Sequence, residues 1–112
     1  MANITNPTVA NGVAFGQYGS AYSNTHTNTI TPPTGLVIVA VTFLEDYELD
    51  KLTPADSGKT SFNHDDTASG SGGEVVADGT VFPKGLTVYG RWKEVSLNDN
   101  GTAAGIICYF AP

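Results

Sequence analysis

Leu36 to Leu44 reads L-V-I-V-A-V-T-F-L, and this stretch decides the fold class. It is almost continuously apolar and rich in β-branched residues, the pattern of a strand buried on both faces, and it is too short for a core helix. Pro32, Pro33 and Gly35 place a turn just before it. Just after it, E-D-Y-E-L-D (Glu45 to Asp50) sets four acids in six positions, so the chain is expected to leave the core there along a solvated edge or turn.

Downstream, composition shifts to loop from Pro54 to Gly79, with D-D-T-A-S-G-S-G-G-E at its centre, and a flexible connection over 54–79 is expected. Order returns with T-V-F-P-K-G, where Pro83 and Gly85 mark a turn. In the strand that follows, L-T-V-Y-G-R-W-K-E-V-S-L, Leu86, Val88 and Trp92 fall on one face. Gly90 interrupts that face and predicts a bulge or a close backbone approach. Asn98-Asp99-Asn100-Gly101 has the composition of a hairpin connection and precedes a further apolar strand, T-A-A-G-I-I-C-Y-F-A-P. A C-terminal antiparallel hairpin over 85–111 is therefore expected.

Upstream, residues 1–34 contain no Asp, Glu, Lys or Arg and few large aliphatic side chains, with Phe15, Tyr18 and Tyr22 interleaved among Thr, Asn, Ser, Gly and Ala. Thr25, Thr27, Thr29 and Thr31 alternate with period two, which predicts an extended arm running into a strand over Ser20 to Thr31. Such a segment buries too little to fold alone and needs a partner sheet, in its own subunit or a neighbouring one.

The whole chain has 112 residues, 40% hydrophobic but only 14% charged, against roughly 25% charged in an ordinary soluble domain. Thr, Ser, Asn and 13 Gly supply the missing polarity, a mixture that suits strands and turns and penalises helices. The fold class read from this is all-β: a single antiparallel β-sandwich or jelly-roll-like barrel of roughly six to eight strands, with an extended N-terminal arm (1–34) and a core over 35–112.

Eleven acids against five scattered bases give a net charge of -6, which argues against binding a nucleic-acid backbone. The longest apolar run is far short of the roughly 18 residues that would cross a membrane. M-A-N-I-T-N-P-T-V-A-N-G has no basic or apolar leader pattern, so synthesis and assembly in a cytoplasm are expected, and the lone Cys108 agrees.

Chemistry-bearing patterns are sparse. His64-Asp65-Asp66 groups ligand types that Glu74 or Asp78 could join, but it lacks the alternate-position spacing of a calcium loop, and a solvated acidic loop is the favoured reading. Cys108 sits mid-strand, as a small core residue does. Asp46 and Glu48 are read as a charged edge that resists sheet aggregation rather than as a carboxylate pair for glycoside hydrolysis. No catalytic residue, metal ligand or cofactor is assigned. The remaining resource is aromatic: Phe15, Tyr18 and Tyr22 in the arm, and Tyr89, Trp92, Tyr109 and Phe110 in the expected C-terminal hairpin, read as core or interface anchors, with Phe15, Tyr18, Tyr22, Tyr89 and Trp92 the expected interface residues.

The segment F-P-K-G-L-T-V-Y-G-R-W-K-E-V-S-L with I-I-C-Y-F-A-P (Phe82 to Pro112) resembles the C-terminal parts of small structural proteins of tailed bacteriophages, most of all capsid decoration (cement) proteins. The resemblance covers about 30 of the 112 residues and implies a homotrimer on the capsid exterior, bound to the major capsid protein and bridging capsomers. It implies no enzyme activity. The alternative is a receptor- or glycan-binding module of a fibre or spike, which would need Trp92 or the tyrosines exposed.

Overall fold

A computed structural model describes residues 18–25, 27–56, 61–64, 71–98 and 104–112 of the chain. The described residues are all-β with no helix. Five strands, β1 (Ser20–Ser23), β2 (Val37–Phe43), β3 (Leu49–Pro54), β4 (Thr87–Leu97) and β5 (Ile106–Ala111), form one antiparallel sheet in the order β1-β5-β2-β4-β3.

The apolar run singled out above becomes β2, the central strand. Ile38, Ala40, Val41 and Phe43 are buried and Val37, Val39 and Thr42 half-buried, so β2 is the strand most withdrawn from solvent at the middle of the sheet. A strand of this kind needs two neighbours, and it takes β5 on one side and β4 on the other.

That demand overturns the expected hairpin over 85–111. β4 and β5 do not pair; β2 lies between them, and because each is antiparallel to β2 they run parallel to each other. Leu97 at the end of β4 lies opposite Leu49, whereas Ile106 at the start of β5 lies opposite Phe43. The turn residues 99–101 lie outside the described residues.

The expected long strand over Ser20 to Thr31 is shorter than its alternation suggests. It stops at Ser23, whose hydroxyl donates to the carbonyls of Thr25 (3.2 Å) and Asn28 (3.0 Å). Asn28 N–H donates to the Thr25 carbonyl at 3.3 Å, closing a turn. Ser and Thr hydroxyls offer the backbone local partners that compete with a ladder, and here they win. Ile30 then rejoins the sheet as an isolated bridge to Val95.

Bulges bend the sheet at its middle. Between one pair of rungs, β4 advances from Tyr89 to Trp92, β2 from Ala40 to Ile38 and β5 from Tyr109 to Phe110, so the strands take three, two and one steps across the same interval. Each extra residue strengthens local twist and bends its strand. Gly90 sits at this step. A Cβ there would lie 2.6 Å from the Trp92 ring and 3.0 Å from Ser61 Oγ, so both expectations for Gly90, a bulge and a close approach, are met.

The core lies against one face of the sheet and is closed by side chains from the connections. Phe82 stacks on Phe43 with ring centroids 4.9 Å apart, and Phe62 meets Trp92 edge-on at 5.3 Å. Trp92 Nε1–H donates to the Phe62 carbonyl at 2.8 Å, which satisfies the buried indole. Tyr47 and Ile30 complete the cluster.

The 54–79 stretch is thus only partly the solvated loop it was expected to be. Residues 57–60 and 65–70 lie outside the described residues, and 71–74 are exposed. Phe62 and Val76 pack on the core, and Asn63 and His64 are buried. A sheet with one covered face needs an apolar lid, and this stretch supplies part of it.

Candidate functional site

The register fixes which side chains share the face opposite the core. Thr42 lies opposite both Ile107 and Thr87, and Ile107 lies opposite Tyr22. Two residues along each strand, Ala40 lies opposite Tyr109 and Tyr89, and Tyr109 opposite Ser20. Directly opposed residues point the same way and strands repeat every two residues, so these eight side chains share the outer face across β1, β5, β2 and β4.

None of the eight is charged. Tyr22 is 57% exposed and Tyr89 71%, while Tyr109, Ile107, Thr42 and Thr87 are half-buried. Thr42 and Thr87 are tied by a hydroxyl–hydroxyl hydrogen bond of 2.8 Å, a cross-strand pair that holds β2 and β4 in register on this face. Arg91, two residues beyond Tyr89, has its charge engaged: Nε donates to Asp56 Oδ2 at 3.1 Å and Nη1 to the Pro112 carbonyl at 3.3 Å.

Tyr22 is fixed by its neighbour. A Cβ on Gly105 would stand 2.6 Å from the Tyr22 ring, and the tyrosine hydroxyl donates to the Ala104 carbonyl at 2.6 Å. The ring therefore lies over the bare backbone at the start of β5, an aromatic covering a glycine next to an edge strand. Gly105 also has φ +100, a conformation that disfavours any other residue. Its N–H donates to the Tyr47 hydroxyl, so the glycine is held from both sides.

Of the residues expected at an interface, the structure brings Tyr22 and Tyr89 together on this face, at its β1 and β4 margins. Tyr18 is half-buried just before β1, and Phe15 lies outside the described residues. Trp92 is corrected: it is fully buried on the face opposite Tyr89, the same core face as Val88, where strand alternation places it. Tyr109 and Ile107 belong to the face as well. Tyr109 was among the aromatic residues singled out, whereas the alternation that places Ile107 is hidden because both sets of positions in I-I-C-Y-F are apolar.

The other candidates resolve as follows. His64 Nε2 lies 2.9 Å from Asp78 Oδ1, which ties the 71–79 segment to the core beside the His64–Val76 bridge. Asp65 and Asp66 lie outside the described residues, and among the described residues no three His, Cys, Asp or Glu side chains converge as metal ligands do. Asp46 Oδ1 accepts the Lys84 N–H at 2.7 Å and so braces the Pro83–Gly85 turn. Cys108 is buried on the core face between Ala21 and Val41, and desolvation pushes its thiol pKa up to about 12.

Comparison with family models, curated proteins and solved structures finds no match for this chain. Among the described residues, fold and face define an all-β protein with one antiparallel sheet, covered on one side and presenting on the other an uncharged patch that bears two exposed tyrosines.

Proposed function

We propose that this chain is a non-enzymatic virion structural protein of a tailed bacteriophage: a capsid decoration protein, made in the host cytoplasm, that binds the major capsid protein on the capsid exterior as a homotrimer. One observation carries the binding role. Eight neighbouring outer-face positions across β1, β5, β2 and β4 carry no charge and include two exposed tyrosines, in a chain whose net charge is -6. A patch of eight neighbouring side chains without a charge gives up water more readily than a charged surface, and tyrosines are favoured anchors at such contacts.

The phage assignment rests on the resemblance of Phe82 to Pro112. A small subunit that touches several capsomers at once gains its hold by avidity. The glycan-binding alternative loses Trp92, which is buried, and keeps the exposed Tyr22 and Tyr89 as its stacking residues; quenching of tyrosine fluorescence by soluble glycans would favour it.

The test has two parts. Light scattering should give three times the 11.7 kDa chain mass across a wide concentration range. In a density gradient of infected-cell lysate, the protein should co-band with intact capsids. A persistent monomer overturns the trimer, and protein found only at the top of the gradient overturns the capsid role.

A further inference from the structure

The tie between His64 and Asp78 sets an imidazole against a reactive dipeptide. Asp78-Gly79 is the one Asp–Gly step in the chain, and it fills the middle of a turn that Thr80 N–H closes by donating to the Ala77 carbonyl at 3.1 Å. Gly79 has φ +87, and a Cβ built on it would meet nothing within 4 Å. Among the described residues its N–H donates to no backbone carbonyl. The amide nitrogen that follows Asp78 is thus screened by neither a side chain of its own nor a backbone partner, which favours its approach to the Asp78 carboxyl carbon.

The same carboxyl meets a proton donor. Asp78 Oδ1 lies 2.9 Å from His64 Nε2, and because a carboxylate oxygen carries no proton, the contact requires one on Nε2. The imidazole is only 5% exposed, and its backbone is held on both sides: His64 N–H donates to the Leu52 carbonyl at 3.2 Å, and Val76 N–H donates to the Asn63 carbonyl at 2.6 Å. The Asp78 side chain, at 86% exposed, is open to water.

We propose that Asp78-Gly79 is a self-modification site, at which His64 is the general acid for closure to a succinimide that reopens as isoaspartate. In the closing step Gly79 N bonds to Asp78 Cγ and the Cγ–Oδ1 bond breaks. Oδ1 leaves as water, taking one proton from the Gly79 amide and one from protonated His64, which becomes neutral. Water then adds to the Asp78 carbonyl carbon and breaks its bond to Gly79 N. The water oxygen stays in the new carboxylate, one proton returns to Gly79 N and the other goes to solvent. Nucleophile and acid belong to one chain and the acid is within hydrogen-bond reach, the two conditions such a step needs. The main chain then runs through Cβ and Cγ, and the oxygen that met His64 is gone, so the tie between the 71–79 segment and the core is lost. The inference is independent of the capsid reading, and no outcome of its test bears on that reading.

The test follows full-length protein at a pH of about 6, where an ordinary imidazole is largely protonated, in water labelled with heavy oxygen. One sample is folded and the other is unfolded in guanidinium chloride, and both are digested for mass spectrometry. The unfolded chain keeps the dipeptide and loses the His64 contact. Isoaspartate at position 78, carrying one labelled oxygen, should therefore form at least about tenfold faster in the folded chain, as a positioned general acid provides. Equal or slower formation in the folded chain overturns the inference.

A variant, His64→Gln, keeps a hydrogen-bond donor but has no acidic proton to give. Its folded form should make isoaspartate about tenfold more slowly than the wild type, and in denaturant the two chains should match. An unchanged rate in the folded variant also overturns the inference. If the variant does not fold, as its unfolding curve would reveal, the wild-type comparison decides alone.

Discussion

Tyr89 and Trp92 stand three residues apart on β4, yet one is 71% exposed and the other fully buried. The difference lies in the two faces of one sheet. On the core face, aromatics interlock: Phe43 on Phe82, Phe62 against Trp92, and Trp92 against the bare backbone of Gly90. On the outer face, tyrosines line a surface whose partner is another protein in our proposal. The first face holds the fold, and the second is free to serve association.

The comparison can be broken from the core side. Trp92→Ala should cost about 3–5 kcal/mol of stability in urea unfolding, through lost burial and an unfilled cavity. A loss below about 1 kcal/mol would show that the indole is not a core anchor. Gly90→Ala should cost about 1–3 kcal/mol by overpacking, since its Cβ would press on the Trp92 ring. Combined with Trp92→Ala it should cost much less, because the obstacle is gone, and a double-mutant cycle measures that coupling.

Cys108 gives a pH test of the same face. Its thiol pKa is raised from 9.0 to about 12 by burial, so the neutral form is favoured in the folded state. The stabilisation is fully present below pH 9 and is lost as pH rises towards 12, because the unfolded chain releases its proton first. At pH 10 the wild type should have lost about 1.4 kcal/mol more, relative to pH 7, than Cys108→Ala, as one pKa unit of linkage requires. Equal losses in the two proteins would mean that the thiol titrates normally in the folded state.

The smallest effect sharpens the contrast. Tyr89→Ala should change the unfolding free energy by less than about 0.5 kcal/mol, as surface positions do. A much larger loss would mean that the outer tyrosine helps to hold the subunit's own fold.

The fold class was legible because β2 announces itself: no helix accommodates L-V-I-V-A-V-T-F-L followed at once by four acids. Gly90 was legible for a similar local reason. Pairing was not, because strand neighbours are chosen by competition across the whole chain. Asn98 to Gly101 favours a hairpin locally, but β2 needs partners on both sides and separates β4 from β5. Ser23 ends β1 through hydroxyl contacts that alternation does not encode.

The candidate face was half legible. Tyr22 and Tyr89 could be picked out as aromatics, but placing them on one surface required the register. Trp92 was misplaced because a large aromatic was read as a contact residue, although the alternation that groups it with Val88 sets it on the core face, opposite Tyr89. The core role of Phe62 and His64 was masked by the Gly- and Asp-rich residues that follow them.

The strand order also sets a schedule for synthesis. β1 pairs with β5, the last strand in chain order. Until Ile106 to Ala111 has left the ribosome, β1 has no neighbour, and one side of β2 lies open even when β4 and β3 are already in place. Chains emerging close together on one messenger would thus present unpaired β1 strands to one another at the moment of highest local concentration. Completion of the sheet therefore waits on its C-terminal strand, and long-range pairing of this kind is slow and leaves strand edges unpaired in the meantime.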